Sequence, residues 1–175
     1  MKQGVRLAYL VGFVALVIAI IIPMAVRWAA GPSGPMITVI DAIGEEQHVT
    51  LRHIQQLAVL CRRSSYENQF GNWRDEGEYC GVLLTELLNE GSEYTAISVV
   101  AEDGYHVEID RTRIEDLEYP VVLAFSLDGV IVPDWTDGYR IAVLPEDGGV
   151  SNADYETDSA GSYWIKNVAR IELLP

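Results

Sequence analysis

Residues suited to binding an anion are concentrated in one stretch of this sequence. They are Arg62, Arg63, Tyr66, Asn68, Asn72, Trp73 and Arg74. Arginine side chains can grip phosphate or sulfate through two parallel hydrogen bonds, and asparagine and tryptophan can orient a flat ring. One interpretation is therefore an anion-binding cleft. The other is a turn whose arginines pair with nearby glutamates and whose tryptophan covers the core, and both interpretations remain open.

Other catalytic schemes find little support. The three histidines, His48, His53 and His106, are scattered, and no pair has zinc spacing. No Gly-x-Ser-x-Gly elbow, phosphate-binding loop or His-Glu-x-x-His motif occurs. The acidic residues between Glu146 and Asp158 lack the spacing of an EF-hand. We therefore expect them to form a solvated loop and not a calcium site.

The two cysteines, Cys61 and Cys80, allow two interpretations. Outside the membrane they could form one disulfide, but the sequence is equally compatible with two buried free thiols. No Cys-x-x-Cys motif is present, so a structural zinc site is not expected.

The apolar pattern predicts strands mixed with short helices. Strands are expected at residues 36–41, 58–66, 95–101, 105–109, 121–126, 139–144 and 164–173. Short helices are expected after an N-cap at Thr50, at 85–89 before Gly91, and at 110–117 after an N-cap at Asp110. Residues 145–162 are expected to form a long polar loop. Because strands and helices do not alternate regularly, the predicted class is α+β.

An ordered series of short motifs runs through the second half of the chain. The series is Asn72-Trp73, Tyr79-Cys80-Gly81-Val82-Leu83-Leu84, Ala101-Glu102-Asp103-Gly104-Tyr105, Leu123-Ala124-Phe125, Asp128-Gly129, Gly138-Tyr139-Arg140-Ile141-Ala142 and Tyr163-Trp164-Ile165-Lys166-Asn167. It resembles the molybdopterin-binding domain of the sulfite-oxidase-like family over about residues 36–173. The resemblance implies a mixed, strand-rich α+β fold of the molybdopterin-binding type.

The resemblance also implies a cofactor cleft, but one essential residue is missing from it. Family enzymes carry a cysteine that ligates molybdenum, and the expected position falls at Glu67 or Asn68 here. An amide does not replace a soft thiolate well, and Cys61 comes too early in the sequence. Arg140 and Lys166 match motif positions and complete the candidate cleft. We expect no catalytic residue, no metal and no resident cofactor, although the resemblance leaves molybdopterin open.

The amino-terminal part predicts a membrane anchor over residues 1–28. Residues 7–26 contain no charge and would span roughly 30 Å as a helix, the hydrocarbon thickness of a bilayer. Lys2 and Arg6 precede this run and only Arg27 follows it closely, which places the carboxy-terminal part outside the cytoplasm. Residues 29–35, rich in glycine and proline, predict a linker, and residues 36–175 the domain.

The domain is strongly acidic, which bears on its partners. The whole chain has 12 basic and 26 acidic residues, a formal net charge of −14. Every acidic residue follows the predicted anchor. Such a surface repels phosphate backbones, so we expect no nucleic-acid partner. The expected partners are the membrane, through the anchor, and a protein of a membrane complex.

Three functions follow from these observations. The preferred one is a membrane-anchored, extracytoplasmic domain that keeps the oxidoreductase fold without molybdenum catalysis and binds a small anion or a partner protein. The alternatives are an active molybdopterin-dependent oxidoreductase with an unusual metal ligand set, and a purely structural interaction domain.

Overall fold

Strands make up most of the regular structure. The computed structural model describes residues 34–88 and 93–175. Their strands are β1 (Met36–Ile40), β2 (Glu46–Thr50), β3 (Val59–Glu67), β4 (Trp73–Leu83), β5 (Ala96–Ala101), β6 (His106–Asp110), β7 (Val121–Leu127), β8 (Val130–Ile131), β9 (Arg140–Val143) and β10 (Val168–Leu174). Short helices lie between them: α1 (Leu51–Ile54), α2 (Leu84–Leu87), α3 (Arg111–Ile114) and a 3-10 turn (Ala160–Tyr163).

The first sheet has five strands in the order β2-β1-β10-β5-β6. β1 and β10 pair in parallel, and the other pairs are antiparallel. Successive side chains on a strand point to opposite faces of the sheet. One face of this sheet therefore buries apolar residues such as Ile37, Ile97, Val99 and Ile171, each fully buried.

The second sheet has the order β3-β4-β7-β8, and β9 pairs with β7. β9 and β8 lie along the same side of β7, because β4 pairs along its other side. All but one of the β7 residues are buried, which explains its nearly continuous apolar sequence. The Ser64 hydroxyl of β3 donates to the carbonyl of Val143 at the end of β9 over 2.9 Å. That bond brings the outer edges of the second sheet towards each other.

The predicted α+β class and most of the predicted strands agree with this structure. Thr50 is an N-cap as predicted, since its hydroxyl accepts from the His53 amide. Asp110 stands at the cap position of α3, but its side chain makes no capping bond. β2, β4 and the two-residue β8 were not predicted. The last strand begins at Val168 and not at Trp164, which is buried in the preceding turn.

The predicted polar loop at 145–162 is more ordered than its composition indicates. Val150 and Ala160 are fully buried, and Tyr155 is nearly so. Val150 forms an isolated parallel bridge with Tyr66, and its carbonyl accepts from the Glu67 amide over 2.9 Å. The loop therefore packs against β3 and helps to hold the end of that strand.

The predicted anchor lies outside the described residues, as do most of the linker and the helix stop at Gly91. Among the residues that are described, no helix is long and apolar enough to cross a membrane. Residues 34–175 make up a compact unit by their internal contacts.

Candidate functional site

An irregularity in the pairing of β3 with β4 builds the site. Ser64 pairs with Gly77, whereas Tyr66 pairs with Arg74, so β4 has one residue more than β3 in this interval. Such a bulge turns a side chain away from the regular alternation of the strand. Asp75 lies within it and has a φ of 52°, in the left-handed region that few residues other than glycine adopt.

The bulge directs the Asp75 carboxylate to a buried arginine. Arg140, at the start of β9, is fully buried. Its Nη2 donates to Asp75 Oδ2 over 2.5 Å, and its Nη1 donates to Asp137 Oδ2 over 3.3 Å. A buried guanidinium destabilises a fold unless it is paired. These two carboxylates therefore make the burial of Arg140 tolerable.

Lys166 joins the same two carboxylates from the exposed side. Its Nζ lies 3.0 Å from Asp137 Oδ2 and 3.3 Å from Asp75 Oδ2. We call Asp75, Asp137, Arg140 and Lys166 the ionic cluster. Two cations and two carboxylates face each other in it, so the cluster carries no formal net charge.

Aromatic rings surround the buried arginine. The guanidinium carbon of Arg140 lies 5.3 Å from the ring centre of Trp164, 5.7 Å from that of Tyr79 and 5.9 Å from that of Tyr66. A cation near the face of a ring is stabilised by the ring's quadrupole. Arg140 Nε has no hydrogen-bond acceptor among the described residues. The rings therefore replace part of the electrostatic stabilisation that water gives to an exposed guanidinium.

Two tyrosines fix the position of Asp75. The Tyr79 hydroxyl donates to the Asp75 carbonyl over 2.6 Å, and the Tyr66 hydroxyl donates to Asp75 Oδ2 over 3.4 Å. The Tyr66 ring lies against Gly161, where an added Cβ atom would overlap it. Glycine at 161 is therefore needed for Tyr66 to occupy this place.

The cluster changes the protonation of its members. Burial favours a higher pKa for Asp75, but the hydrogen bond and charge of Arg140, with the charge of Lys166, outweigh it, so the pKa lies below its ordinary value. For Lys166, burial favours a lower pKa, and the bonds and charges of Asp137 and Asp75 raise it overall. Burial raises the pKa of Tyr79 to about 12. All three groups therefore keep their ordinary charge at neutral pH.

The sequence-predicted residues do not all meet at this cluster. Tyr66, Arg140 and Lys166 do. Arg62 donates instead to the Leu144 carbonyl over 2.7 Å and to Glu146 over 3.2 Å. These bonds agree with the second interpretation of the sequence, in which the arginines pair with groups of the same domain and do not line a cleft.

The remaining predicted residues lie in or near the β3–β4 turn. Arg63 pairs with Glu76 at 2.9 Å on the surface, and Arg74 is exposed. The side-chain oxygen of Asn68 accepts from the amides of Phe70 and Asn72 and so shapes the turn.

Sequence reasoning missed Asp75, Asp137 and Tyr79. No periodic signal marks Asp75, because it stands among acidic residues in the largely exposed first part of β4 and only the bulge turns it inwards. Asp137 precedes a glycine and reads as a turn residue.

The two cysteines form a disulfide, which decides between the two interpretations of the sequence. Cys61 on β3 and Cys80 on β4 pair directly across the strands, with an S–S distance of 2.03 Å. Neither sulfur is free to act as a thiolate ligand.

The residues of the candidate site do not provide the ligands that the resemblance requires for a molybdenum cofactor. Its soft donor would be a thiolate, and both thiols are joined in the disulfide. The basic residues that would face its phosphate, Arg140 and Lys166, are already paired with aspartates. Within residues 34–88 and 93–175, no three side chains of histidine, cysteine, aspartate or glutamate are grouped as a metal site.

Comparison with known proteins identifies a structural relative. No protein-family model matches this chain, and no curated protein is significantly similar in sequence. The crystal structure of the sulfane dehydrogenase SoxCD from Paracoccus pantotrophus is similar with a TM-score of 0.57 and 15% sequence identity. The similarity covers 80% of this chain and 38% of that chain. The similarity supports a fold distantly like that of the sulfite-oxidase-like molybdopterin oxidoreductases. At 15% sequence identity it is evidence for the fold alone.

Proposed function

We propose that this chain is a membrane-anchored, extracytoplasmic binding domain that uses an oxidoreductase fold to recognise a partner protein and performs no molybdenum chemistry. The observation that carries the proposal is the ionic cluster. Arg140 and Lys166 are bound to Asp75 and Asp137 of the same chain. A cofactor phosphate would have to displace both carboxylates from a buried arginine.

The disulfide supports the same conclusion. The resemblance calls for a cysteine thiolate as the molybdenum ligand, and the bond between Cys61 and Cys80 occupies the only two sulfurs that cysteine supplies in this chain. The disulfide also favours an oxidising compartment, because such bonds persist outside the cytoplasm. Together with the charge-free run at 7–26, it supports the extracytoplasmic location.

The turn between β3 and β4 supplies a surface for a protein partner. Phe70 and Trp73 are 77% and 53% exposed there. The turn is held by the two bonds to Asn68 Oδ1 and by a bond from Asn152 Nδ2 to the Asn68 carbonyl at 2.9 Å. Rigid aromatic residues beside an arginine such as Arg74 are typical of the residues that dominate binding energy.

A small anion is the second candidate ligand, and one observation favours it. Arg140 Nε is buried and lacks an acceptor among the described residues. An anion that reached it would have to compete with Asp75 and Asp137, so we expect only weak binding of sulfate or phosphate to the wild-type chain.

Metal analysis tests the absence of molybdenum chemistry. The full chain is produced in a host that makes the molybdenum cofactor, and molybdenum and pterin are measured in the oxidised protein and after treatment with a thiol reductant. We expect substoichiometric molybdenum in both samples. Stoichiometric metal in either sample would overturn the proposal and favour the alternative, an oxidoreductase with an unusual ligand set.

Photocrosslinking tests the partner surface. A photoreactive amino acid replaces Phe70 in one variant and Ile43 in the control, whose side chain is 82% exposed. Both variants are expressed in the native host and irradiated. We expect a discrete crosslinked species from position 70 and none from position 43. Equal labelling at the two positions would count against the turn as the contact surface.

A reporter fusion tests the proposed topology. Alkaline phosphatase joined to the carboxy terminus should be active, because that enzyme folds only outside the cytoplasm and the positive-inside rule predicts that this terminus lies there. An active cytoplasmic reporter in the same position would contradict it.

A further inference from the structure

We propose that the Cys61–Cys80 disulfide is a site of thiol–disulfide exchange, attacked at the Cys61 sulfur by a small thiolate from solution. The inference does not rest on the proposed function. Its starting point is the position of the bond: it joins directly opposite residues of two neighbouring strands and includes every cysteine of the chain.

The two cysteine residues differ in exposure. β3 is the last strand of its sheet and pairs with β4 along one side only. On its outer side the Arg62 and Ser64 side chains bond to the Leu144 and Val143 carbonyls, whereas Cys61 is exposed. Along β3, Ser64 points into the core and is fully buried, whereas Cys61 and Arg63 are exposed. Cys80 is only half-buried and packs against the core. A thiolate can therefore approach the bond from the Cys61 side, and exposed disulfides are the reactive ones.

The exchange balances as an ordinary displacement. The attacking thiolate forms a new S–S bond with Cys61, and the electron pair of the old bond leaves with the sulfur of Cys80. The Cys80 thiolate then takes a proton from water. A second thiol can attack the mixed disulfide, which releases the Cys61 thiolate and the oxidised form of the small thiol.

The bond encloses the part of the hairpin that builds the ionic cluster. Tyr66 lies five residues after Cys61, and Asp75 lies five residues before Cys80. Both contribute to the arrangement around Arg140. Exchange at Cys61 thus removes the covalent constraint on the segment that carries Asp75, and we expect faster amide hydrogen exchange in residues 62–79.

The first test uses the wild-type chain. Folded protein is incubated with glutathione, free thiols are blocked at intervals with iodoacetamide, and the adducts are located by peptide mass analysis. We expect glutathione on Cys61 in about tenfold excess over Cys80. We also expect the rate to stay constant in low urea. Adducts divided equally, or a rate that follows global unfolding, would overturn the proposal.

The second test uses matched single variants that lose the same bond. Cys80→Ser leaves only the Cys61 thiol, and Cys61→Ser leaves only the Cys80 thiol. In each folded variant the rate of reaction with a small aromatic disulfide reagent is measured. We expect the Cys61 thiol to react about tenfold faster. A faster reaction at Cys80 would contradict the assignment, and the wild-type experiment stands even if a variant does not fold.

Discussion

Asp75 Oδ2 lies 2.5 Å from Nη2 of Arg140, although 65 residues separate the two in sequence. The strand that carries Asp75 is bulged, and its backbone is left-handed at this residue. A left-handed conformation at a residue other than glycine costs of order 1 kcal/mol. The contact with a fully buried guanidinium offsets that cost, and so the bulge and the ion pair depend on each other.

Removing the Asp75 carboxylate should destabilise the domain markedly. Asp75→Asn leaves Arg140 buried with a weaker set of acceptors, and we expect a loss of about 3 kcal/mol in the free energy of unfolding, measured by urea titration. The neighbouring Glu76→Gln is the control, because it removes only the exposed pair with Arg63 and should cost at most about 0.5 kcal/mol. Equal effects of the two changes would mean that the buried pair is not specially important.

The coupling of Asp75 to its two cationic partners should be unequal. Arg140 is fully buried, whereas the Lys166 side chain is 42% exposed, so solvent screens the lysine contact more. Double-mutant cycles that combine Asp75→Asn with Arg140→Met or with Lys166→Met measure each coupling energy. We expect the larger energy for Arg140. A larger value for Lys166 would contradict this order.

Acid should weaken the fold partly through Asp75. The pKa of this carboxyl is lowered in the folded state from an ordinary value of 3.8. Its contribution to stability is therefore complete above that value and is lost as the pH falls through the lower folded pKa. Free energies of unfolding measured from pH 6 down to about pH 2 should fall more steeply for the wild type than for Asp75→Asn. Parallel curves would show that Asp75 does not contribute.

Filling the space beside Tyr66 should also destabilise the domain. In Gly161→Ala the new methyl group overlaps the Tyr66 ring, and we expect a loss of about 1–3 kcal/mol, read as a lower urea midpoint. Gly34→Ala is the control, since its Cβ would meet nothing within 4 Å. Adding Tyr66→Ala to Gly161→Ala should recover part of the loss that overlap causes. A double variant whose losses simply add would show that the ring is not the obstacle.

Local pattern was sufficient to predict much of the fold. Alternation of apolar and polar residues predicts β5 and β6 on either side of the turn at Asp103-Gly104, and the apolar run from Val121 predicts β7. β4 escaped prediction because its first half, from Trp73 to Glu78, is polar and bulged. A strand of this kind is held by its neighbours and shows no alternation of its own.

For the candidate site, too, some features could be predicted from the sequence and others only from the folded structure. The sequence alone determined the strand-rich α+β class, the acidic surface and the presence of Arg140 and Lys166 at motif positions. Only the tertiary structure decided that Asp75 and Asp137 pair with those cations, that Arg62 donates to the Leu144 carbonyl, and that Cys61 pairs with Cys80. The physical reason is that periodicity and turn chemistry act between near neighbours, whereas Asp75, Arg62 and Cys61 meet partners 65, 82 and 19 residues away. Asp137 lies only three residues from Arg140, but the burial that makes their pairing necessary arises only when the sheets are assembled.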